Sequence, residues 1–132
     1  MLTKKQIQSV YKEIQKNPHV VAILVTGSYV YGTPNEKSDL DIRMIVDDKK
    51  YEKAHWDDVF LFNVRIEAFY NTVETVESFI EKAQKKEMPP NIVHFWANGK
   101  IVYDPQGVAK KLKAKAKEIW ESGPYEGTWT GL

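Results

Sequence analysis

Apolar and polar positions follow two rhythms along this chain, and the rhythm changes mark its elements. After Leu2, Ile7, Val10, Tyr11 and Ile14 recur at three- and four-residue spacing, which predicts an amphipathic helix. Thr3 is placed to cap it, and Asn17-Pro18 ends it. "HVVAILVTG" (19–27) is a near-continuous β-branched run, too short for an isolated helix, and predicts a buried strand. "SYVYGTPNEKS" then predicts a short helical turn and a polar loop around Gly32 and Pro34. In "DLDIRMIVDD" (39–48), Leu40, Ile42 and Met44 alternate with Asp39, Asp41 and Arg43, giving a strand with an apolar underside and a charged upper side. "DVFLFNVRIEAFY" (58–70) reads as one third strand, in which Val64, Ile66 and Ala68 alternate with Arg65, Glu67 and Phe69.

Beyond Tyr70 the helical rhythm returns. Val73, Val76, Phe79, Ile80 and Ala83 predict a helix over 72–86, and Pro89-Pro90 separates it from a shorter one over 91–98. Asn98-Gly99 ends that helix, 100–107 predicts a short strand and turn, and 108–120 predicts a last amphipathic helix. These elements predict an α/β (α+β) fold, a small mixed sheet backed by helices, in a domain over 1–121. Residues 122–132 form a Gly-rich tail or the start of a further C-terminal region.

Composition narrows the classes without naming a function. The chain has 132 residues, 42% hydrophobic and 28% charged, which fits one soluble globular domain. A net charge of +1 gives no global pull toward nucleic acid or membrane. With no cysteine, no apolar leader and no long apolar span, the expected location is the cytoplasm. His19, His55 and His94 lack metal-ligand spacing and read as structural or surface residues. The lysines of "KKLKAKAK" (110–117) read as the wet face of a helix rather than a nucleic-acid contact.

The charged side of 39–48 carries the chemistry. Residues two apart on a strand share a face about 6.6 Å apart. Two carboxylates held ~5 Å apart repel by ~3 kcal/mol at an effective dielectric of 20. Exposure relieves that repulsion, and so does a divalent cation; Mg²⁺, an oxygen-seeking ion that pairs carboxylates with phosphates, suits the donors. Gly27 and Ser28, where the preceding strand ends, add backbone N–H groups and a hydroxyl suited to phosphate. Alone, Asp39 and Asp41 could equally be a turn residue and a partner for Arg43.

Gly27-Ser28 followed by "SDLDIRMIV" resembles the core motif of the DNA polymerase β-like nucleotidyltransferase superfamily. That motif is Gly-Ser, about ten residues, Asp-x-Asp on a strand, and a third acid on a later strand. Glu67 in "VRIEAFY" stands where the third acid belongs, with Asp58 next in line, and the likeness spans roughly 19–70. It is similar to the bacterial stand-alone branch that includes aminoglycoside, lincosamide and minimal nucleotidyltransferases. The resemblance implies transfer of a nucleoside monophosphate from an NTP, ATP foremost, to a hydroxyl acceptor. Asp39, Asp41 and Glu67 would be catalytic acids holding one or two Mg²⁺ ions, with Glu67 a base or a metal ligand. Gly27, Ser28, Ser38 and Arg43 would bind nucleotide, Arg43 contacting phosphates or bracing the acids.

Tyr29 and Tyr31 could stack on a base or pack. Only about 60 residues follow Tyr70, so a homodimer or partner protein is expected to complete the acceptor pocket, with Trp96, Trp120 and Trp129 supplying apolar surface. The alternative function is a nucleotide-binding, antitoxin-like module acting through protein contacts.

Overall fold

The computed structural model describes residues 2–27, 40–52, 57–61 and 64–122, with backbone only over 57–61 and at 64. Helix α1 (Lys4–Gln15) starts where the threonine stands: Thr3 Oγ1 accepts from Gln6 N at 3.1 Å and Gln6 Oε1 from Thr3 N at 2.9 Å. Strand β1 (Val20–Thr26) is buried along its whole length, as its β-branched run predicts. Strand β2 (Leu40–Val46) follows, then a 3-10 turn at Lys49–Tyr51.

The stretch read as one strand over 58–70 is two: β3 (Asp57–Leu61) and β4 (Val64–Asn71). They pair antiparallel with Leu61 opposite Val64. Asn63, a turn-forming residue type inside the apolar run, was the signal for the break. Next come α2 (Val73–Gln84), capped by the Thr72 hydroxyl, α3 (Asn91–Asn98), β5 (Lys100–Tyr103) and α4 (Val108–Glu121). The helical turn and loop expected after Gly27, and the tail beyond 122, lie outside the described residues.

The five strands form one mixed sheet in the order β3-β4-β2-β1-β5. Strand β1 is antiparallel to β2 and β5, and β2 runs parallel to β4. Alternation sends Ile23, Val25, Leu40, Ile42, Met44, Ile66 and Ala68 to one face, where Val10 and Tyr11 of α1 cover them. The opposite face, through Leu24 and Ile45, packs on α2, α3 and α4 by way of Ile80, Val93, Trp96 and Leu112. The upper side of β2 is thus charged only toward its start; Ile45, on the same side, is buried under helices.

Two contacts fix α3 close to the sheet. A Cβ at Gly99 would meet the Phe95 carbonyl at 2.7 Å and Leu24 Cδ2 at 2.8 Å, so only glycine allows this approach. Lys113 of α4 donates to the carbonyls of Ala97 and Gly99 at the end of α3. The expected apolar surface is also revised. Trp96 is 1% exposed and belongs to the core, because α3 turns it inward with Val93 and Ala97. No described helix is long and apolar enough to cross a membrane.

Candidate nucleotide and metal site

Strand pairing places the acids. Thr26 of β1 lies opposite Asp41 of β2, Asp41 opposite Glu67 of β4, and Glu67 opposite Asp58 of β3. Directly paired residues share a face, so one row carries Thr26, Asp41 and Glu67, and the backbone of Asp58 pairs next to it on β3. Neighbouring strands are ~4.8 Å apart, which brings Asp41 and Glu67 side by side although 26 positions separate them in sequence.

Gly27 closes one end of this row. Its φ is +87°, a conformation L side chains rarely adopt, and a Cβ there would stand 2.6 Å from Asp41 Oδ2. The space left by the missing side chain is therefore taken by the Asp41 carboxylate. Asp41 Oδ1 is shielded from solvent, and the buried Thr26 hydroxyl has no hydrogen-bond partner among the described residues. Gly27→Ala is accordingly expected to cost ~1–3 kcal/mol of stability and to displace the carboxylate. Thermal melting alongside Mn²⁺ titration checks this; a variant with wild-type melting and metal uptake would refute it.

Two arginines flank the acids. Arg43, one step below Asp41 on β2, lies between two rings, its guanidinium carbon 4.3 Å from the Phe69 centroid and 4.1 Å from that of Phe95. Arg65, one step beyond Glu67 on β4, donates from Nη2 to Glu67 Oε1 at 3.0 Å. Sequence patterning placed Arg43 on the acid face but could not reveal its aromatic sandwich, half of which comes from α3.

The described residues thus bring together Gly27, Asp41, Glu67 and Arg43. Ser28, Ser38 and Asp39 lie outside them, as do Tyr29 and Tyr31. No group of three His, Cys, Asp or Glu able to hold a metal occurs among the described residues. The donors that are described fit a hard divalent cation: two carboxylates in register, one of them seated in the glycine's space.

The remaining candidates fall away from this row. His19 pairs with Asp47 at 3.2 Å and stacks on Tyr51; His55 is outside the described residues. His94 packs beside Trp120, and burial holds its imidazole below the ordinary range. Of the lysine run, Lys110, Lys111 and Lys117 are exposed, whereas Lys113 is drawn onto the carbonyls that end α3.

Comparison with known proteins identifies the family and the fold. The nucleotidyltransferase domain family model matches residues 5–123, and the chain belongs to that family. Among solved structures it is similar to a nucleotidyltransferase-like protein from Exiguobacterium sibiricum 255-15, with a TM-score of 0.58 and 14% identity over 83% of this chain. The chain spans 37% of that protein. It is also similar to a toxin-antitoxin solved with AMP-PNP, with a TM-score of 0.52, 16% identity, and coverage of 87% of this chain and 86% of the other. At these identities the likeness is one of fold. A comparison with curated proteins finds no significant match.

Proposed function

We propose that this chain transfers a nucleoside monophosphate from an NTP to a hydroxyl acceptor, releasing pyrophosphate. The observation that carries the reading is the row in which Asp41 and Glu67 stand in register, with Asp41 seated against Gly27. Asp39 and Asp41 would hold Mg²⁺, and Glu67 would accept the acceptor's proton or complete a second metal position. Bound there, Mg²⁺ would offset the charge that develops on the attacking and leaving oxygens. Gly27 and Ser28 would hold the β- and γ-phosphates through backbone N–H groups and a hydroxyl, and Ser38 would also bind nucleotide. Arg43, fixed between its rings, would supply a positive charge one step below the acids.

The acceptor is a small molecule or a macromolecule carrying a free hydroxyl, and a second copy or a partner protein would complete its pocket. Labelled NTPs with Mg²⁺, offered antibiotics, tRNA and candidate partner proteins, test the transfer directly. Mg²⁺ and ATP, or another NTP, are expected to raise the melting temperature together by ~10 °C at ligand 100-fold above Kd, more than either does alone. Calorimetry showing no NTP binding with or without Mg²⁺ would overturn the proposal. A second reading, a nucleotide-binding antitoxin-like module, has support in the toxin-antitoxin solved with AMP-PNP, whose fold this chain resembles over 87% of its length. Tight Mg²⁺-NTP binding without transfer to any acceptor would favour it.

A further inference from the structure

The two arginines beside the acid row are held differently. Arg43 lies within 4.3 Å of the Phe69 and Phe95 ring centroids, and a guanidinium with two cation–π contacts loses both if it moves. Arg65 reaches Glu67 from Nη2 to Oε1 at 3.0 Å, with its side chain 32% exposed and that of Glu67 20% exposed. Arg65 and Glu67 are two apart on β4 and share a face, and Glu67 is the residue opposite Asp41. A divalent cation reaching Glu67 must compete with the guanidinium already there. A triphosphate arriving with that cation brings anionic oxygens that suit the arginine fork.

We propose that Arg65 is an exchangeable counter-ion: it neutralises Glu67 in the nucleotide-free protein and transfers to a phosphate oxygen of the incoming triphosphate when Glu67 turns to the metal. The inference rests on the metal-dependent nucleotidyltransferase reading and adds to it a residue with two successive partners. Arg65 is then a positioning residue before nucleotide binds and a phosphate ligand afterwards. The exchange keeps Glu67 compensated at each stage and disfavours metal binding without nucleotide. Arg43 cannot serve this purpose without leaving both of its rings.

The test uses a pair of effects with opposite signs. A unit positive charge ~6 Å from a divalent ion in a water-like dielectric weakens its binding about tenfold. Arg65→Met, which keeps an apolar stem and removes the charge, should therefore bind Mn²⁺ alone about tenfold more tightly, read by the electron paramagnetic resonance of free Mn²⁺. The same variant should bind an α,β-methylene NTP analogue in saturating Mg²⁺ about 10- to 100-fold more weakly, because a charge-assisted contact is gone. Arg65→Lys should fall between variant and wild type in both measurements. In a Glu67→Gln background, Arg65→Met should tighten Mn²⁺ less than it does in the wild type, because the competition for the carboxylate is gone and only through-space repulsion remains; equal tightening in both backgrounds would overturn the proposal. A merely structural arginine would weaken both ligands together, and that result, or unchanged Mn²⁺ affinity in Arg65→Met, would overturn the proposal. Failure of the wild-type protein to take up Mn²⁺ even with a saturating α,β-methylene NTP analogue would overturn the metal reading, and this proposal with it.

Discussion

Asp41→Asn is expected to abolish metal-dependent nucleotide binding and to lower transfer at least 10³-fold while leaving the fold intact. The amide is the same size, so it still fits against Gly27, but it supplies no negative charge to a divalent cation. Asp41 lies on the charged side of β2, away from the α1-facing core of Leu40, Ile42 and Met44. The substitution also removes a carboxylate from beside Glu67, so melting should stay within a few degrees of wild type. Mn²⁺ titration, thermal melting and transfer rate, measured on one preparation, check all three statements. Transfer at the wild-type rate would remove Asp41 from the site; a collapsed fold would make its role structural.

Glu67→Gln separates two roles that the row alone allows. The amide keeps the shape and loses both charge and basicity. If Glu67 is the general base, Mg²⁺-NTP binding stays near wild type and turnover falls by about 10²- to 10⁴-fold. If it is a metal ligand, metal affinity falls as well. Glu67 is 20% exposed and paired with Arg65, so the neutral amide leaves a guanidinium that still reaches solvent. The protein should therefore remain folded. Single-turnover rate against calorimetric affinity distinguishes the two roles. An unchanged rate would pass the third acid's role to Asp58, whose backbone pairs with Glu67.

Much of this arrangement is legible in the sequence. The buried run of β1, the alternation of β2 and the helix of Thr3 follow from local rules, because period and cap chemistry act over a few residues. The motif resemblance names Asp41 and Glu67 as acids of one site, and the parallel register of β2 and β4 puts them opposite each other. Contacts across elements were not legible. Nothing in the order of residues says that Phe95, on α3, will cover the guanidinium of Arg43, or that Lys113 will reach the end of α3 instead of solvent. Trp96 reads as surface because tryptophan suits interfaces, but α3 turns it inward. The break between β3 and β4 is hard to read in the sequence because apolar residues flank it on both sides, with Asn63 between them.

The parallel pairing of β2 with β4 bears on how the site comes into being. β3 and β4 can form a hairpin from neighbours in the chain, but β4 reaches β2 only after the intervening segment has closed as a loop. A slip of one residue in that pairing would set Leu40 or Ile42, rather than Asp41, opposite Glu67, and would turn one strand's apolar residues away from α1. The sheet register therefore proofreads the chemistry. During refolding, nucleotide affinity should appear with the slow, long-range step and lag behind the signal of helix formation.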